Sequence, residues 1–153
     1  MEQLFGNKGI LQLYVSTLDE IDSMNYRNKV YYNILYLWFK NKLNNKNIDS
    51  YFSENEIKTI AIYGVGNLGE LLYDELKESN KIDVKYLIDQ SNEDKNLYKV
   101  PIVKPEQVKS MEKVDCVVVT PIYAFDVIKK GLDKLEFKNI ICIDDIIIKI
   151  HNE

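Results

Sequence analysis

The chain has 153 residues, of which 46% are apolar, and a formal net charge of −4. That length suffices for one domain with a real core, and the acidic balance excludes a general electrostatic pull toward nucleic acid. Arg27 is the only arginine, so a bound phosphate would rest on backbone amides, a helix terminus or lysine rather than on a guanidinium fork.

The N-terminus, Met1-Glu2-Gln3, has neither a basic region nor an apolar run, so no signal peptide is expected. The longest apolar-looking stretch, Val30 to Phe39, is too short to span a bilayer and is flanked by Arg27, Lys29 and Lys40. Cys116 and Cys142 lie in separate apolar runs without CxxC spacing. They read as small buried hydrophobes in a reducing compartment, so a cytoplasmic location is expected.

The pattern divides near residue 57. In residues 1–57 it is helical: Leu11, Tyr14, Val15, Leu18 and Ile21 recur at helix spacing, and so do Val30, Ile34, Leu37 and Trp38. The spacing predicts a helical pair, broken at Asn44-Asn45-Lys46-Asn47, with a short turn around Ile48 to Phe52. Tyr14, Tyr31, Tyr32, Tyr36, Trp38 and Phe39 give this extension more aromatic surface than a hairpin can hide, which predicts a packing or homodimer surface.

In residues 58–153 strands alternate with helices. Strands are expected at Thr59–Tyr63, Val84–Ile88, Val100–Val103, Cys116–Thr120 and Asn139–Ile143. Helices are expected from Leu68 to near Ser79-Asn80, over Pro105–Met111, over Pro121–Leu135 and from Asp144 onward. Continuous β-branched runs between helices predict an α/β fold, a doubly wound Rossmann-like parallel sheet of five strands in order 3-2-1-4-5.

The first of these strands runs into Gly64-Val65-Gly66-Asn67-Leu68-Gly69, and Asp89 stands twenty residues beyond the last glycine. This is the dinucleotide-binding fingerprint in its expected setting. Gly64 would permit the tight turn, Gly66 the approach of a phosphate, and Gly69 close packing of helix on strand. The free amides of the helix start, from Asn67 and Leu68 on, would face the phosphate. Asp89 would accept ribose hydroxyls. With uncharged Gln90 beside it, it would favour an NAD-like ligand over an NADP-like one. The other reading is that the glycines serve only the turn, Asp89 caps a loop, and Asn67 with Glu70 forms a capping-box-like pair.

At the switch point the fourth strand ends Thr120-Pro121-Ile122-Tyr123. Thr120 and Pro121 fit a helix start as N-cap and N1, and Tyr123 is placed to lie against a base or sugar. Gly69-Glu70-Leu71 lacks the lysine and hydroxyl of a P-loop, so nucleotide hydrolysis is unsupported. The only histidine, His151, sits at the tail, a poor place for a general base. The Tyr-x-x-x-Lys pairs Tyr36/Lys40 and Tyr73/Lys77 lie in the wrong segments for a short-chain reductase, and Asp144-Asp145 reads as a helix cap. No catalytic set and no metal-ligand cluster emerges.

Four stretches in order, Ile62 to Gly69, Tyr86-Leu87-Ile88-Asp89, Val100 to Val108 with its Pro-Ile-Val-x-Pro-Glu core, and Asp115 to Thr120, carry a resemblance. Over residues 58–145 the chain resembles the small Rossmann-like, CoA-binding-like domains of bacterial polysaccharide-biosynthesis proteins. The resemblance implies a binding module for a nucleotide, NAD or a nucleotide sugar in cell-surface sugar metabolism, working beside a sugar-modifying enzyme. By the family pattern Gly64, Gly66 and Gly69 approach phosphate and Asp89 approaches ribose or a sugar; Glu70 departs from the basic or small residue frequent at its position. The rival expectations are a small NAD-dependent oxidoreductase or epimerase-like subunit, and a nucleotide-sensing regulatory domain.

Overall fold

A computed structural model describes residues 3–91 and 98–153, with side chains from residue 15 onward. The expected helix positions of Leu11 and Tyr14 therefore concern side chains outside the described ones. The chain opens on one continuous helix, α1 (Gln3–Leu43), where the sequence predicts a pair. The polar stretch 22–28 holds no glycine or proline, so nothing interrupts the i to i−4 ladder there. α1 ends where expected. Asn45 takes φ 59°, a left-handed conformation that asparagine tolerates. The Lys46 amide then donates to the Asn41 carbonyl at 2.9 Å and the Asn45 amide to Lys42 at 3.0 Å, closing a Schellman motif.

A short helix, α2 (Ile48–Glu54), leads into β1 (Thr59–Tyr63). Then follow α3 (Asn67–Leu76), β2 (Asp83–Ile88), β3 (Ile102–Val103), a 3-10 turn (Pro105–Ser110) and β4 (Cys116–Val119). A second 3-10 turn (Ile122–Ala124) runs into α4 (Phe125–Asp133), and β5 (Ile140–Cys142) and α5 (Ile143–Asn152) end the chain. The five strands form one all-parallel sheet in order β3-β2-β1-β4-β5, the Rossmann-like arrangement expected. The predicted helix at 105–111 is a 3-10 turn, and the one from Pro121 begins as a 3-10 turn, with α-helix only from Phe125.

Strand alternation sorts the core into two layers. Ile60, Ile62, Cys116 and Val118 pack against α1, α2, α3 and α5 through Ile34, Trp38, Phe52, Leu72 and Ile147. Ala61, Tyr86, Val117 and Val119 pack on the other side against α4 and the first 3-10 turn through Leu132 and Val108. The second half of α1 and all of α2 thus share the core of the sheet.

Buried Asn41 binds α1 to α5. Its Nδ2 donates to the Ile147 carbonyl at 3.0 Å, and its Oδ1 lies 3.1 Å from His151 Nδ1. Lys46 Nζ donates to the carbonyls of Ile150 and His151. These contacts satisfy the open C-terminal end of α5, so His151 is held in a capped helix rather than in a frayed tail. From residue 15 to residue 29, in contrast, every residue of α1 is exposed. No described helix is long and apolar enough to cross a membrane.

Candidate functional site

The carboxyl ends of β1 and β4 meet at the switch point of the sheet. The Thr120 amide donates to the Tyr63 carbonyl at 2.9 Å, and the Gly64 amide to Ile88 at 2.8 Å. The chain must reverse from strand to helix within this space, and its three glycines answer to different constraints.

Gly64 has φ +93°, and a Cβ there would lie 2.6 Å from Pro121 Cδ and 2.8 Å from Thr120 Oγ1. A Cβ on Gly69 would lie 1.9 Å from the Gly64 carbonyl oxygen. Both glycines are therefore demanded by the fold itself. Gly66 is not. Its φ is −80°, open to any residue, and a Cβ there would meet nothing within 4 Å. It faces a cleft of about 450 Å³ lined by Asn67, Leu68, Thr120 and Pro121 on the sheet side and by Asn28, Tyr31 and Leu35 of α1 on the other. Small-molecule sites span about 300–1,000 Å³.

Gly66 is the N-cap of α3 and, as a glycine, supplies no side-chain cap to this helix start. The capping-box pair of Asn67 and Glu70 weighed from the sequence does not form, because Asn67 is already the first helical residue. Asn67 and Leu68, the first residues of α3, line the cleft at the positive end of the helix dipole, where the helix's first amides lack intrahelical partners. Among the described residues, none that lines the cleft is charged. Glu70 is exposed and does not line the cleft.

Asp89 takes the loop-capping role, the alternative reading of the sequence. Its Oδ2 accepts the Val65 amide at 2.7 Å, and its Oδ1 accepts the Ser91 amide at 2.8 Å and the Ser91 hydroxyl at 2.6 Å. The carboxylate fixes the glycine turn rather than standing open for a ribose. Gln90 is exposed beside it. Burial and the neighbouring Asp89 charge push the Tyr63 phenol above its ordinary value.

Thr120 is not a helix N-cap. It is buried, and its one hydroxyl proton is shared between the carbonyls of Gly64 at 2.9 Å and Tyr63 at 3.1 Å. Pro121 packs on Gly64. Tyr123, expected against a ligand, is not among the residues lining the cleft. Its ring lies under the Arg27 guanidinium at 5.2 Å and edge-on to Tyr31 at 5.7 Å. Its hydroxyl reaches the Arg27 carbonyl at 3.4 Å. This contact holds the middle of α1 across the end of β4. The structure thus brings Gly66, Asn67, Leu68, Thr120 and Pro121 to one cleft and leaves Gly64, Gly69, Asp89, Gln90 and Tyr123 out of its lining.

Asn28 and Leu35, which complete the wall, escaped sequence reasoning. Asn28 sits between Arg27 and Lys29 in a polar stretch, and nothing local says that α1 crosses the sheet here. Among the described residues no group of three or more His, Cys, Asp or Glu could hold a metal ion. No protein-family model, curated protein or solved structure matches the chain.

Proposed function

We propose that the chain binds the diphosphate of a nucleotide, NAD or a nucleotide sugar in the cleft above the Gly64–Gly69 turn. It acts as a binding module and leaves chemistry to a partner enzyme. Gly66 carries this reading: two of the three glycines have a packing reason, while the third, the N-cap of α3, keeps an open cleft free of a side chain at the helix start. Backbone amides and the helix dipole supply the attraction that the missing arginines do not. Asp89 serves indirectly, by fixing the Val65 amide and with it the path of the bare turn. The cell-surface sugar context rests on the sequence resemblance alone.

The test is thermal unfolding of the full chain with NAD, NADP, CoA, ATP and UDP-sugars. A ligand present at a hundred times its dissociation constant adds about 2.7 kcal/mol of stability. Gly66→Val should abolish the shift and leave the ligand-free melting temperature nearly unchanged, since its side chain enters empty space. Silence from every ligand would remove the reading.

A further inference from the structure

α1 has two apolar faces. One is spent on the core through Ile34 and Trp38. The opposite one is exposed: Tyr32 at 68%, Phe39 at 63% and Leu43 at 61%, together with Tyr36. It continues along the half of the helix that leaves the domain, through Leu18 and Ile21. The core covers only one of the two faces, and a contiguous apolar face left exposed marks an interaction surface. Whole aromatic side chains are worth about 150–250 Å² each; at the partial exposure of Tyr32, Tyr36 and Phe39, and with Leu18, Ile21 and Leu43 added, this face offers roughly 600 Å² per copy, the low end of what a specific pair buries per partner.

Charge along α1 is segregated. Residues 15–26 hold Asp19, Glu20 and Asp22 and no base; residues 27–43 hold Arg27, Lys29, Lys40 and Lys42 and no acid. Two copies side by side in parallel would set acid level with acid and base level with base. In an antiparallel pair each acidic half meets a basic half. Asp22 and Lys40 are eighteen residues apart, about five turns, so they share one flank of the exposed face. In an antiparallel pair that flank faces the same flank of its partner.

We infer that this chain forms an antiparallel two-fold dimer along α1, centred near residues 30–31. That register sets Leu18 beside the partner's Leu43, Asn25 beside the partner's Tyr36, and Asp22 within one residue of the partner's Lys40. The contact is isologous, so each pair occurs twice. Lys42 is already engaged by Asn47 at 2.8 Å and Glu75 at 3.3 Å, and Arg27 lies over the Tyr123 ring; Lys29 falls beside the partner's Tyr32 in this register, which leaves Lys40 as the cation that pairs with an acid across the seam.

Sedimentation equilibrium of the full chain tests the dimer. The wild type should sediment as a dimer at about 100 µM. Asp22→Lys and Lys40→Asp should each raise the dissociation constant roughly tenfold, because two attractive pairs become repulsive. The two changes in one chain should restore it to within about threefold. Under mild oxidation L18C/L43C should give a covalent dimer while L18C alone does not. The two sites lie about 37 Å apart within one helix, so any bridge joins two copies. A monomer at that concentration, no rescue in the doubly changed chain, or ready crosslinking of L18C alone would each overturn the inference.

Discussion

The Val65 amide donates to Asp89 Oδ2 across 2.7 Å, tying the glycine turn after β1 to the end of β2. The acid of the fingerprint is therefore a strut of the site. Asp89→Asn keeps an oxygen for Val65 but turns an NH₂ toward the Ser91 amide, which now donates to Oδ1. We expect a loss of about 1–2 kcal/mol in urea unfolding. Asp89→Ala, which removes both acceptors, should lose more.

The three glycines should separate cleanly in the same assay. Gly64→Ala and Gly69→Ala should each destabilise by more than about 3 kcal/mol, since backbone and proline atoms must move to admit the new methyl. Gly66→Ala should stay within about 0.5–1 kcal/mol of the wild type. Equal losses at all three positions would show that Gly66 has a packing role.

Trp38 belongs to the core, not to the exposed face of α1. Its indole donates to Glu75 Oε2 at 2.7 Å, and Glu75 Oε1 accepts the Ile48 amide at 3.0 Å. One carboxylate thus joins α1, α2 and α3. Glu75→Ala strands two donors and should cost about 2–4 kcal/mol. A double-mutant cycle with Trp38→Phe should give a coupling of about 1–2 kcal/mol, measured by chemical denaturation.

Burial pushes the Cys116 thiol up to about 12, and burial with a hydrogen bond to Asp144 raises that of Cys142 as well. Neither is a nucleophile at neutral pH. Iodoacetamide at pH 8 should label neither cysteine in the folded chain and both in urea, as read by mass spectrometry.

Asp115 gives the stability a pH dependence. Its carboxylate accepts the amides of Lys58 at 2.9 Å and Thr59 at 3.0 Å, and these bonds lower its pKa, the Lys58 amide most. A lowered folded-state value means that its contribution is complete above the unfolded-state value of about 3.9 and is lost as pH falls through the folded value. Asp115→Asn should therefore be less stable than the wild type at pH 7, with the gap closing toward pH 3 in thermal melts.

The alternation of β-branched runs with helical spacing determined the sheet and its strand order, because period and crossover handedness are local properties that few topologies satisfy. The glycine turn was legible for the same reason: Gly64 and Gly69 announce a bend that only glycine makes. What tertiary structure alone decided is which groups those elements meet. The unbroken α1, its crossing over the switch point through Arg27 and Tyr123, and the Asn28–Leu35 wall of the cleft depend on contacts between segments far apart in the chain. So do the separate duties of Asp89, Thr120 and Trp38. A hydrogen-bonding side chain carries no mark of its partner, and that partner is fixed only when the sheet has closed and the helices have packed.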